Sequence, residues 1–202
     1  MKILAIGRNY VDHIKELNNE IPDEPVIFTK PDTALLRNND DFYFPDYTNE
    51  IHHEIELVVK ISKVGKNIQK EFAPLYYNEF ALGIDFTARD LQSKAKKKGL
   101  PWTIAKGFDG SAPISAFRSK KGYDLDNLNF ELRVNDLQVQ KANTSLMMNS
   151  VDSIISYVSR FITLKKGDLI FTGTPKGVGP VNIGDRLEAF LENEKVMDFA
   201  IK

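Results

Sequence analysis

The chain has 202 residues, no cysteine, 42% hydrophobic residues, and 27 Lys plus Arg against 28 Asp plus Glu, the composition of a globular protein with one core. At this length roughly 70% of the unfolded chain's surface can be buried, so the fold needs no disulfide or structural metal to hold it. The lack of Cys excludes a disulfide scaffold, Cys-ligated zinc, iron–sulfur clusters and thiol nucleophiles. A formal net charge of −1 lacks the basic excess with which polyanions are met, so no nucleic-acid or membrane partner is expected.

In chain order, Met1-Lys2-Ile3-Leu4-Ala5-Ile6 reads as a first strand and not as a secretory leader, because Gly7-Arg8-Asn9 ends the apolar run at once. A short helix follows from Val11 to Leu17, then strands over 25–29, 54–62 and 80–85. A helix covers Ala88 to Lys98. Strands over 130–135, 168–172 and 186–191 flank a helix at 151–162, in which Val151, Ile154, Ile155, Val158 and Ile162 recur at helical spacing behind a Ser150 cap. No strand–helix alternation is visible, which predicts a mixed α/β, predominantly β fold over a doubly wound sheet. Without repeats or linkers, residues 1–202 read as a single domain with a lead-in at 1–24. No run approaches the ~20 apolar residues of a membrane span, so a cytoplasmic location is expected.

The most informative stretch is His52-His53-Glu54-Ile55-Glu56-Leu57-Val58-Val59. On a strand, Glu54 and Glu56 share one face while Ile55, Leu57 and Val59 enter the core. Such a pair is either the solvated outer face of a strand or, where water is scarce, a site that takes up a cation or a proton. Asp85, within Ala81-Leu82-Gly83-Ile84-Asp85-Phe86, favours the second reading, since an acid in an apolar run is costly to bury alone. Three carboxylates without a thiol point to a hard divalent ion, Mg²⁺ ahead of Mn²⁺ and Ca²⁺. Alternation also puts His52 on the face of Glu54 and Glu56, as a nitrogen ligand or an ordinary strand-end histidine, and turns His53 away.

Lys106 lies among apolar and small residues, where a buried ammonium needs anions such as metal-bound carboxylates or a substrate oxyanion; its plain reading is a snorkelling surface lysine. Lys94, Lys96, Lys97 and Lys98 read as a solvated helix end. His13 and Glu16, three apart on a helix, share a face, and the carboxylate can orient the imidazole as a general base toward water. Thr172-Gly173-Thr174-Pro175-Lys176-Gly177-Val178-Gly179-Pro180 is a turn after a strand. It lacks the phosphate-loop spacing but offers N–H groups and hydroxyls to a substrate carboxylate.

These segments, with Gly7-Arg8-Asn9-Tyr10, Phe28-Thr29-Lys30-Pro31, Asp85-Phe86-Thr87-Ala88-Arg89-Asp90-Leu91-Gln92 and Gly99-Leu100-Pro101-Trp102-Thr103, resemble the fumarylacetoacetate hydrolase family. The match is to its short, single-domain branch of acylpyruvate hydrolases and oxaloacetate decarboxylases, and it runs through nearly the whole chain. The resemblance implies a β-sandwich roll with a few short helices, usually a homodimer. It also implies Mg²⁺ or Mn²⁺ held by Glu54, Glu56 and Asp85, with Lys106 beside the metal. Gln92 and Thr174 would contact a 2-oxo or 2,4-dioxo acid, Arg8 would be a further contact, and His13 with Glu16 would form the water-activating dyad. On this pattern His52 is not a ligand, and Asn18 to Glu24 form a lid. Gly107 and Asp109-Gly110 replace small hydroxylated residues or Ala of relatives, a departure expected to alter the pocket beside Lys106.

The expected chemistry is hydrolysis of acylpyruvates to pyruvate and a carboxylate, or decarboxylation of oxaloacetate, each through a metal-bound enolate. A 2-oxo acid hydratase, isomerase or tautomerase passes through the same enolate. A noncatalytic 2-oxo acid binder is the rival from another class, and it has no use for a base at His13.

Overall fold

The computed structural model describes residues 1–16 and 20–202. In chain order its strands are β1 (Ile3–Gly7), β2 (Val26–Lys30), β3 (Leu35–Leu36), β4 (Ile51–His53), β5 (Ile55–Ile61), β6 (Tyr77–Ile84), β7 (Thr87–Ala88) and β8 (Ala112–Pro113). They continue with β9 (Arg118–Ser119), β10 (Asn129–Val134), β11 (Leu137–Asn143), β12 (Leu169–Phe171), β13 (Gly179–Val181), β14 (Arg186–Leu191) and β15 (Glu194–Ala200). The helices are α1 (Val11–Glu16), α2 (Arg89–Lys98), α3 (Thr103–Lys106) and α4 (Val151–Ser159). The fold is predominantly β, as the sequence pattern predicts. Leu17, the expected end of the first helix, lies outside the described residues, as do Asn18 and Asn19 of the expected lid. Of the rest of that segment, Glu24 accepts a hydrogen bond from the Tyr157 hydroxyl at 3.0 Å.

A six-stranded sheet in the order β2-β1-β12-β5-β6-β9 forms the centre, and only β1 and β12 in it run parallel. Both faces of this sheet are covered. Leu4, Ile6, Ile55, Leu57, Val59 and Ile61 enter the larger core, while Ile3, Ala5, Val58, Ala81, Leu169 and Phe171 form a smaller one on the opposite face. The apolar runs of β1 and β5 are continuous for this reason, since a strand with two covered faces has no solvent side to mark by alternation. It also excludes the solvated reading of Glu54 and Glu56, whose face is roofed over.

The second sheet, β11-β10-β14-β15, is antiparallel throughout. Two tight hairpins build it, turning at Asn135-Asp136 (φ 51° and 66°) and at Glu192-Asn193 (φ 47° and 67°), the left-handed pair of a two-residue turn matched to strand twist. Strands β11 and β15 escaped the pattern analysis because their outer residues are polar, although these turns flag them. Helix α4 begins on the expected cap, with Ser150 Oγ accepting from the Ser153 N–H at 3.4 Å. It stops at Ser159, short of the expected 162.

Gln140 on β11 ties the two sheets together. Its Oε1 accepts the Ile55 N–H and the His53 Nδ1–H, each at 3.0 Å, and its Nε2 donates to Thr174 Oγ1 at 2.9 Å and to the Pro175 carbonyl at 3.0 Å. The amide is 1% exposed, so water cannot replace these bonds. Replacing Gln140 with Leu orphans several buried polar groups, and the expected loss is about 3 kcal/mol. This is measurable as a lower urea midpoint at unchanged slope. A midpoint like that of the wild type would show that the clamp contributes little.

Candidate functional site

Strand register creates the acidic cluster. Ile55 pairs with Ile84 and Glu56 with Gly83 across β5 and β6, so the next residues beyond the two strands, Glu54 and Asp85, face each other, and the Asp85 N–H donates to the Glu54 carbonyl at 2.8 Å. Glycine at 83 is demanded by packing, because a Cβ there would lie 2.6 Å from the Phe171 ring. Glu54, Glu56 and Asp85 are 6%, 2% and 0% exposed. Each offers an oxygen within 4.8 Å of the others.

Three cations share the charge of two of these acids. Lys106 Nζ donates to Glu54 Oε2 at 2.8 Å, Asp85 Oδ2 at 2.6 Å and Thr87 Oγ1 at 2.6 Å. Lys30 Nζ pairs with Asp85 Oδ1 at 2.6 Å and donates to the Lys106 and Ser111 carbonyls at 2.5 and 2.9 Å. Arg89 Nη2 meets Glu54 Oε1 at 2.5 Å, its Nη1 donates to Gln92 Oε1 at 2.6 Å, and its Nε donates to His52 Nδ1 at 3.3 Å. Burial alone would raise the pKa of Glu54, but Lys106 and Arg89 overturn that and hold it below the carboxylate range. For Lys106, burial opposes the charge, and Asp85 and Glu54 more than restore it, so its pKa is raised. Glu56 makes no ion pair among the described residues, and Lys106 helps it only weakly. Among the described residues its partner is the Gly173 N–H at 2.7 Å, and burial, with Asp85 and Glu54 beside it, pushes its pKa well above the usual range.

The dyad sits on the other side of the cavity. His13 is 6% exposed, and its Nδ1–H donates to Glu16 Oε2 at 3.2 Å. Glu16 in turn accepts the Gly177 N–H at 2.9 Å. Gly177 needs its φ of +94°, and a Cβ there would lie 2.2 Å from the Val139 carbonyl oxygen. Gly173, at φ +102°, turns the chain so that its N–H reaches Glu56, with Asn9 packed against it.

One cavity is lined by Arg8, His13, Glu54, Glu56, Asp85, Gln92, Lys106 and Thr174 together. Glu16 stands behind His13 and does not line it. Arg8 takes an uncommon left-handed φ of 61°. His52 is outside the acidic cluster: its Nε2–H donates to Glu50 Oε1 at 2.8 Å and its Nδ1 accepts from Arg89. His53 does turn away, to Gln140. One expectation needs an addition and one a correction. Lys96 is exposed, as a solvated helix end requires, and it also lines the cavity, because seven residues after Arg89 it falls on the same face of α2. Gly107, Asp109 and Gly110 do not line it, so their departure leaves the walls unaltered; Gly107 instead admits Pro31, whose Cδ would lie 3.0 Å from an added Cβ. Sequence reading assigned no role to Arg89 or Lys30. Their signal was a cation inside each of two quoted segments, and the carboxylates they meet, Glu54 and Asp85, lie far from them in sequence.

The donor set fits a hard dication, with one carboxylate on β5, two immediately beside the ends of β5 and β6, and one of the three without an ion pair. Among the described residues, no helix is long and apolar enough to cross a membrane.

A family model described as fumarylacetoacetate (FAA) hydrolase C-terminal matches residues 2–201. A mitochondrial oxaloacetate tautomerase of Mus musculus is 46% identical over 99% of this chain and 91% of its own length. A mitochondrial oxaloacetate decarboxylase of Dictyostelium discoideum is 47% identical over 91% of this chain and 85% of its own. Among solved structures, fumarylpyruvate hydrolase of Pseudomonas aeruginosa in complex with Mn²⁺ and pyruvate superposes with a TM-score of 0.95 at 34% identity, covering 100% of this chain and 89% of that one.

Because burial and its acidic neighbours raise the pKa of Glu56, a dication bound by it would displace its proton. A carboxyl whose folded pKa is raised stabilises the fold at low pH, and that contribution fades as pH climbs through the folded value. Metal affinity rises over the same interval. Calorimetric Mn²⁺ titrations in two buffers of different ionisation enthalpy should show close to one proton released per ion just above the ordinary glutamate range. Glu56→Gln should abolish the release and weaken binding by more than about tenfold. Unchanged affinity and no proton release would remove Glu56 from the ligand set.

Proposed function

Since this chain belongs to the fumarylacetoacetate hydrolase C-terminal family, we propose that it is a divalent-metal-dependent enzyme that hydrolyses the C–C bond of acylpyruvates and decarboxylates oxaloacetate. In this reading residues 1–202 form one catalytic domain with its lid in the lead-in at 1–24, Glu54, Glu56 and Asp85 hold Mg²⁺ or Mn²⁺, and the protein is a cytoplasmic homodimer. The observation that carries it is the convergence of three buried carboxylates on one cavity that also receives Lys106 and the dyad-borne His13. The noncatalytic binder gives way to an enzyme on family membership.

A bound dication supplies Lewis acidity and a template for the carboxylate and keto oxygens of the 2-oxo acid. Lys106 keeps a positive charge beside the oxygens on which negative charge develops. Gln92 and Thr174 hold the substrate, each already oriented, by Arg89 and by Gln140 respectively, and Arg8 adds a cation to the wall. In hydrolysis, His13, aimed by Glu16, removes a proton from water. The water oxygen bonds to the distal acyl carbonyl carbon, the C–C bond breaks, and its electron pair stays with pyruvate as the enolate, which then takes up a proton. In decarboxylation the same electron pair is left when CO₂ departs, and no water is activated. The Mus musculus relative is named a tautomerase, which supports a second reading. There the oxaloacetate enol and keto forms interconvert at these residues by proton transfer at C3 without bond cleavage.

Purified protein with acetylpyruvate, fumarylpyruvate and oxaloacetate, with Mg²⁺ and with a chelator, should show chelator-sensitive turnover. Loss of the oxaloacetate enol absorbance without release of CO₂ would select the tautomerase instead. His13→Ala should lower acylpyruvate hydrolysis by about 100-fold or more while oxaloacetate decarboxylation falls much less. Equal losses in the two reactions would end the division of labour between dyad and metal.

A further inference from the structure

We propose that Lys96 is a specificity-determining residue that receives a second, distal carboxylate of the substrate, so that the site favours dianionic 2-oxo acids over monoanionic ones of equal length. The inference rests on the 2-oxo acid reading above for the end of the substrate that meets the metal site. It deepens that reading at the other end.

Arg89, Gln92 and Lys96 stand at i, i+3 and i+7 on α2, which puts them in one stripe, and all three line the cavity. Arg89 is bound to Glu54, so its end of the stripe marks the acidic cluster. At 1.5 Å per residue, the Lys96 backbone lies about 10 Å further along the axis. Helical side chains lean toward the amino end, which tips the Lys96 ammonium back over the cavity. A short 2-oxo acid anchored among the carboxylates and extended along this stripe would bring its far end to Lys96.

Lys96 is exposed, and its Nζ lies 5.3 Å from the centroid of the Trp102 ring, which is itself packed on Phe28 at 5.9 Å. Both rings line the same cavity. No ion pair neutralises Lys96 among the described residues. Partial desolvation of its exposed side chain and then the charges of Arg89, Arg8 and Lys106 oppose its charge, and Glu54 supports it. A cation over an aromatic face with other cations near it is short of an anion, and a ligand carboxylate is the group that would supply one. Lys94, Lys97 and Lys98 do not line the cavity and share none of this.

The test compares two unreactive probes of equal chain length, 2-oxoglutarate and 2-oxopentanoate, which differ in the distal carboxylate. Calorimetric binding to the full chain with saturating Mg²⁺ should show about a tenfold preference for 2-oxoglutarate. Lys96→Met, which keeps the apolar stem on Trp102, should erase the preference while leaving 2-oxopentanoate affinity and the melting temperature unchanged, and Lys96→Arg should restore it. A wild type without preference, a preference that survives in Lys96→Met, or no measurable 2-oxoglutarate binding overturns the proposal. Turnover plays no part in this readout. Failure to process oxaloacetate or acylpyruvates would therefore count against the proposed function, while the affinities alone decide the role of Lys96.

Discussion

Three carboxylates held within a few ångströms of each other in a site almost closed to water repel strongly, and the arrangement around them answers that repulsion unevenly. At 4 Å and an effective dielectric constant near 20, each like-charge contact costs about 4 kcal/mol. Glu54 and Asp85 have both oxygens engaged by Arg89, Lys106 and Lys30, whereas Glu56 receives one backbone N–H. The lysines would be as costly as the acids if buried alone, so neither set is stable in this interior without the other. Uneven neutralisation leaves one acid short of positive charge, and this is the property that suits the cluster to a dication.

The same interaction dictates much of the surrounding fold. Lys30 closes β2 and Lys106 closes α3, and the Lys30 ammonium is shared among Asp85, the Lys106 carbonyl and the Ser111 carbonyl. Strand β2, helix α3 and the loop before β8 are thereby gathered onto the end of β6. On the opposite side, Asn9 donates to the Thr172 and Asn149 carbonyls at 2.8 and 3.0 Å, which fixes the turn whose Gly173 N–H serves Glu56. Glycine at 83 and 173 is required by the closeness of these approaches. Either position with a side chain would push apart the strands that set the carboxylate spacing.

Much of this was legible in the sequence, and the parts that were not share a physical cause. Alternation paired Glu54 with Glu56, and an acid in an apolar run singled out Asp85, because both signals are local and costly. Helix spacing found the His13/Glu16 dyad. Strands β11 and β15 were missed since their outward residues are polar, and the continuous apolar runs of β1 and β5 carry no alternation to show which face covers the site. Arg89 and Lys30 were passed over because their partners are distant in sequence, 35 residues from Arg89 to Glu54 and 56 residues from Lys30 to Phe86, whose carbonyl it also meets. Lys96 was grouped with its neighbours by composition, when its position seven after Arg89 separated it from them.

The two halves of the site also differ in what holds them. The acidic cluster is built on β5 and β6, whose backbone bonds run through the centre of the main sheet. The dyad rides on α1, six residues long and far below the roughly 12–15 needed for a helix to persist unaided. Its position depends on tertiary tethers: the buried Ile14, the Tyr10 to Met147 bridge, and the Gly177 N–H on Glu16. Because opening free energy tracks such contacts, local opening should release His13 well before it disturbs the carboxylates. Under the proposed function, reactions that need no activated water would then depend on the sheet alone. Hydrolysis would require the helix and its tethers as well, so variation in α1 and in the turn at Gly177 would shift the balance between the two reactions without disturbing the carboxylates.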